Sequence, residues 1–237
     1  MDRLKKFLIG LFLINKAIRM PLWKSYLLSL LTIYIVNLLC YVSAALIGFS
    51  DSYRDHLLNL SHSYSVSTFV LTSLLMPVLE ELTFRLLLSG KKNHVTISFA
   101  LIYSFFFNLL LLASFIEEID FHPYLIFFSV GIFVFAKAYV LMTIPIRLGK
   151  SFSDRMTETV NQNFQLICYS SATAFALVHL IFQKIFFSVS FLTLIPLFFS
   201  YFFYGLVFNY IRIQYGIIYS IIFHIFLNSI AYIKFFL

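Results

Sequence analysis

Apolar residues run through this chain in long stretches broken by short polar turns, with no period-two alternation along them. About 20 apolar residues carry a helix across a bilayer's hydrocarbon core, whereas barrel strands need about 10 and alternate in character. The pattern predicts membrane spans over about Tyr26 to Phe49, Tyr64 to Leu88, Val95 to Phe115, Tyr124 to Ile146, Phe164 to Ile181, Phe187 to Ile211 and Ile217 to Phe236. The longest polar connection is Gly149 to Asn163, and a shorter one, Arg212 to Gly216, separates the last two spans. Ahead of the first span, Phe7 to Ile14 is too short to cross, and no small-residue cleavage site follows it. With Lys16, Arg19 and Lys24 behind it, this run reads as an interfacial amphipathic helix. The expected fold class is therefore all-α: a polytopic transmembrane helix bundle of about seven spans, residues 25–237, preceded by an interfacial segment, residues 1–24.

Composition supports that pattern and narrows the partners. The chain is 61% hydrophobic and 11% charged, with a mean hydropathy of +0.94, well outside the soluble range. Its formal charge of +7 sits at segment ends rather than on a face or stripe, which argues against nucleic acid. The N-terminal segment, the Lys91 turn, the loop holding Lys150 and the Arg212 turn carry most of the Lys and Arg and fall alternately on one side. The positive-inside rule then predicts a multi-pass cell-membrane protein with a cytoplasmic N-terminus, its basic loops touching anionic lipid. Cys40 and Cys168 both lie in apolar runs, so they are expected to be buried free thiols.

The expensive residues are the polar ones inside the spans, and each is a site hypothesis by default. Glu80-Glu81-Leu82-Thr83-Phe84-Arg85 follows the apolar run Phe69 to Leu79, with Pro77 expected to loosen the helix just before it. At a spacing of four, Glu81 and Arg85 can form an ion pair, while Glu80 points about 100° away without a local partner. Two further pairs share that spacing: Phe175 with His179 in the fifth span, and His224 with Asn228 in the seventh. Lys137 in the fourth span is expected to meet a carboxylate or carbonyl inside the bundle. Asn37, Asn108 and Asn209 are expected to join helices by hydrogen bonds.

Glu80, His179, His224 and Asn228 can converge from three helices, and together they suit hydrolysis of an acyl bond. A carboxylate and an imidazole can deprotonate a water, while a second imidazole and an amide can donate to a developing oxyanion. Glu80, His179 and His224 could alternatively hold a divalent metal such as zinc, although no HExxH helix is present. A different class, a proton-coupled transporter using buried Glu, His and Lys, fits the same polar groups; it often shows duplicated halves, and no internal repeat is visible.

Glu80-Glu81-xxx-Arg85, Phe175-xxx-His179 and His224-xxx-Asn228, in that order on separate spans, resemble the motifs of the CPBP (CAAX protease and bacteriocin-processing, Abi) family of intramembrane endopeptidases. Tyr204-Gly205 and Tyr215-Gly216 are similar to that family's C-terminal half, and the resemblance covers about residues 64–237. It implies that Glu80 and His179 activate the attacking water, that His224 and Asn228 form the oxyanion hole, and that Glu81, Arg85 and Phe175 support the site. It further implies a glutamic endopeptidase without a required cofactor in preference to a metalloprotease, acting on a membrane-associated peptide or a lipidated or transmembrane protein. A third possibility is a non-catalytic immunity or scaffold protein that retains the same fold. One geometric expectation conflicts with this site: counting ~1.5 Å per residue from the predicted cytoplasmic ends sets His179 roughly 8 Å deeper than Glu80 and His224.

Overall fold

A computed structural model describes residues 11, 20–46, 70–115, 135–139, 145–147, 150–182 and 191–233. Most of the interfacial segment and of the fourth span, the ends of several other spans, the acidic Glu117 to Asp120 turn and the side chain of Asn108 lie outside the described residues. Among the described residues the chain is almost entirely helical. It comprises α1 (Leu22–Leu46), a short α2 (Met76–Glu80), α3 (Lys92–Phe115), α4 (Phe152–Gln162), α5 (Phe164–Phe182), α6 (Phe191–Tyr215) and α7 (Ile217–Ile233). An antiparallel ribbon of β1 (Pro145–Arg147) and β2 (Lys150–Ser151) precedes α4. Three helices, over Leu22–Ser43, Phe164–Ile181 and Leu194–Tyr215, are long and apolar enough to cross a membrane. They carry exposed large hydrophobics such as Trp23, Leu27, Leu31, Leu166 and Phe199, the surface expected where the solvent is lipid. The described residues fall into two compact units, one from the segments up to Glu81 together with those from Gln165 onward, the other from the segments between Leu82 and Phe164.

In the first unit, α1 is tied to α6 and α7 by polar groups near its start and just past its middle. Near its start, Ser25 bonds the Tyr215 hydroxyl, the Tyr26 hydroxyl donates to the Tyr219 carbonyl at 2.8 Å, and the Tyr26 ring stacks on Phe223 at 4.7 Å. Farther along, the Asn37 amide donates to the Tyr204 hydroxyl at 2.7 Å and its oxygen accepts from Ser200. Asn209 on α6 donates to the Cys168 carbonyl on α5 at 2.8 Å. Asn37 and Asn209 thus join helices as expected, and Cys40 and Cys168 are buried thiols outside any disulfide. The α5 to α6 crossing is close because Gly205 lacks a side chain: a Cβ there would lie 2.8 Å from the Ala172 Cα. The break between α6 and α7 is a single residue, Gly216, at φ +104°, so the sixth segment runs on to Tyr215 and most of the predicted Arg212 turn is helix. Only glycine adopts that backbone conformation without strain.

In the second unit, the stretch expected to be a long polar connection is largely the amphipathic helix α4, with Ser153 and Val160 buried. Its start is a capping box, in which the Ser151 hydroxyl accepts from the Asp154 amide at 3.2 Å while the Asp154 carboxylate accepts from the Ser151 amide at 2.9 Å. That box is visible in the sequence as Ser151-Phe152-Ser153-Asp154. Lys92, at the start of α3, sits 2.7 Å from Asp154, and Thr96 bonds Ser153, so the lysine contributes to packing here. Lys92 first, then the Ser151 hydroxyl and amide, hold the Asp154 carboxyl down to about 2.

Candidate active site

The segment bearing the paired glutamates is not one regular helix. A π-helical run, Val70–Leu75, passes into the α-helical turn Met76–Glu80, a second π-helical turn spans Glu81–Arg85, and a 3₁₀ turn closes at Leu86–Ser89. Pro77 falls in the first turn of the α piece, where its missing amide is tolerated, so it marks a change of helix type. Such π segments concentrate at functional sites. The expectation of an α-helical step from Glu81 to Arg85 is therefore corrected, since those residues bound a π turn; both side chains are fully buried.

Glu80, Glu81, Phe175, His179 and His224 come together within the first unit. One Glu80 oxygen lies 3.8 Å from His179 Nε2 and the other 3.5 Å from His224 Nε2. The opposite nitrogen of each ring is occupied: His179 Nδ1 lies 3.0 Å from the Phe175 carbonyl oxygen and His224 Nδ1 lies 3.3 Å from a Glu81 carboxylate oxygen. A carbonyl or carboxylate oxygen only accepts, so each Nδ1 carries its proton and donates. Both rings thereby turn Nε2 toward one carboxylate, and the two adjacent glutamates divide the work, Glu80 facing both Nε2 atoms and Glu81 setting one ring from behind. The residual exposure follows the same division, at 14% for the Glu80 side chain and 18% for His179 against 0% for Glu81 and 3% for His224.

The meeting of His179 with Glu80 removes the expected depth conflict. The count takes every span as a straight α-helix along the membrane normal, whereas the segment through Glu80 is a series of π, α and 3₁₀ turns. Asn228 lies on α7 one turn beyond His224, half-buried, so helix register sets it ~6 Å along the axis. Lys137 departs from expectation: it is exposed, in a helical stretch at 135–139.

Helix α6, which carries none of the expected site residues, supplies three neighbours of the histidines and Glu81. Tyr201 stacks on His179 with ring centroids 4.9 Å apart, and Phe208 stacks on His224 at 4.1 Å. Phe175 touches both imidazoles, at 4.1 Å from His179 and 5.9 Å from His224. Arg212, read as a topology marker, is half-buried and close enough for its charge to act on Glu81. Tyr201, Phe208 and Arg212 do share a helix face by their spacing of seven and four, but in a chain with 31 phenylalanines and 15 tyrosines an aromatic stripe carries little information.

Separations of 3.5 and 3.8 Å exceed a direct N–H···O bond, and suit atoms that share a third partner. A bridging water fits. Two histidines and a carboxylate are a zinc ligand set by chemical type, but among the described residues no three His, Cys, Asp or Glu side chains are placed to hold a metal ion. No family model, curated protein or solved structure matches this chain.

Proposed function

We propose that the protein is an intramembrane endopeptidase of about seven spans with a cytoplasmic N-terminus, hydrolysing a peptide bond of a membrane-associated peptide or protein. The observation that carries this reading is the aim of two imidazole Nε2 atoms at the two oxygens of Glu80, with both Nδ1 atoms engaged elsewhere. The resemblance of the three motifs to CPBP endopeptidases supports it independently of geometry.

In this mechanism a water held between Glu80 and His179 loses its proton to the Glu80 carboxylate and attacks the scissile carbonyl. His179, its tautomer set by the Phe175 carbonyl, accepts a hydrogen bond at Nε2 and keeps the water aligned. His224, when Nε2 carries a proton, donates with the Asn228 amide to the oxyanion, and Glu81 holds that ring in orientation. Glu80 then returns the proton to the leaving amine. A metal ion, where bound, would be held by Glu80, His179 and His224 and would supply Lewis acidity and a more acidic water. Arg212 offsets part of the carboxylate charge of a motif otherwise costly to bury.

Proteomes of cells carrying the wild type and Glu80→Gln are the test, with reconstituted protein assayed on whichever membrane peptide accumulates uncut. Positioned acid-base groups contribute about 10²–10⁴-fold, so Glu80→Gln and His179→Ala should each lower turnover by that order. Unchanged cleavage in either variant overturns the mechanism. Loss of activity on chelation, restored by zinc, would assign the metal-assisted version.

A further inference from the structure

We propose that α6, although it carries none of the hydrolytic groups, aligns both histidines, with Tyr201 the positioning residue for His179 and Phe208 that for His224. Each imidazole meets an acceptor through Nδ1, which fixes the tautomer but does not by itself fix the ring plane about that bond. Pivoting swings Nε2, the atom that faces Glu80. A ring stacked on the imidazole face opposes the pivot, and α6 supplies one to each: Tyr201 at 4.9 Å and 29° to His179, and Phe208 at 4.1 Å and 26° to His224. The two stackers are seven residues apart, two turns of one helix, and so share a face.

The supports of that face are also in place. Tyr201 packs against the buried cluster of Leu180, Leu194 and Leu197, which links α6 to the helix bearing His179. Phe208 is 1% exposed and meets Phe175 edge-on at 6.0 Å, so both stacks lean on the same central ring. The Gly205 to Ala172 approach, between Tyr201 and Phe208 in sequence, sets the distance from α6 to α5. Geometric demands at a reacting centre are strict, since a displacement of about 1 Å can lower a rate 10²-fold.

This inference rests on the hydrolytic reading for its kinetic consequence but not for its geometry, and the test separates the two. Full-length protein carrying ¹⁵N-labelled histidine is compared in micelles as wild type, Tyr201→Phe and Tyr201→Leu, with His179 assigned by its loss in His179→Ala. Tyr201→Phe keeps the stack and should retain both the Nδ1–H tautomer signature of His179 and turnover within about threefold. Tyr201→Leu, or Tyr201→Met should the leucine variant aggregate, should average the two ring-nitrogen signals and lower kcat 10–100-fold with KM little changed. Phe208→Leu should do the same to the His224 signals. A His179 signature untouched by Tyr201→Leu overturns the proposal. Wild-type protein that cleaves nothing refutes the endopeptidase reading alone, and the ring-nitrogen signals then decide the positioning role by themselves.

Discussion

Adjacent glutamates with different tasks are the central feature at the scale of single residues. Glu81 is fully buried and meets His224 Nδ1 at 3.3 Å, whereas Glu80 is partly exposed and faces both Nε2 atoms. Replacing Glu81 by Gln keeps an acceptor for the His224 proton but removes its charge, and outer-shell partners of this kind are worth about 10–100-fold in activity. Glu81→Gln should therefore fall between the wild type and Glu80→Gln in single-turnover assays, and it should weaken turnover more than substrate affinity. The division itself was legible in part, because two consecutive residues on a helix must point about 100° apart. That Glu81 would serve His224 was not, because a local i to i+4 partner in Arg85 offered a sufficient account of its burial.

Individual elements show where helix chemistry constrains variation. Gly205 tolerates no Cβ, since one would lie 2.8 Å from the Ala172 backbone, so Gly205→Ala should push α6 from α5 and destabilise by about 1–3 kcal/mol. Gly216→Ala meets no neighbour, but the φ of +104° is strained for alanine, and a loss of about 1–2 kcal/mol is expected. Denaturant titration of the two variants in micelles measures both, and only the first should also lower turnover. The start of α4 adds a pH dependence. Asp154 is held at about 2 by Lys92 and Ser151, below its unfolded value of about 3.9. The sign follows from linkage: a depressed carboxyl contributes stability that is present above pH ~4 and lost as pH falls toward 2. The melting difference between wild type and Asp154→Asn should be constant above pH ~5, shrink as pH falls from ~4, and vanish only below pH ~2. These element boundaries were readable where capping or glycine chemistry marks them, as at Ser151 to Asp154 and at Gly216. The π turns around Glu80 were not, because no residue pattern there distinguishes a π from an α turn except the proline between them.

At the scale of the whole molecule, attachment of the first helix and the direction of insertion each carry a prediction. Asn37 joins α1 to α6 through Tyr204 and Ser200, and interhelical bonds of this kind contribute about 0.6–1.7 kcal/mol. Asn37→Leu should lower stability by that amount in a detergent unfolding assay while the histidine signals stay in place. For orientation, single cysteines at exposed Lys91 and Glu158, in a background lacking Cys40 and Cys168, should react with an impermeant thiol reagent only from the cytoplasmic face. Long apolar runs by themselves determined that the chain is helical and of membrane character, because lipid leaves backbone polar groups no other partner. The rarity of charge within those runs likewise singled out Glu80, Glu81, His179 and His224. Tertiary structure alone decided which nitrogen faces which oxygen, and that Tyr201 and Phe208 stand against the rings. Periodicity fixes the face on which a residue lies within its own helix, but the rotation of one helix against another is set by side-chain packing at their contact.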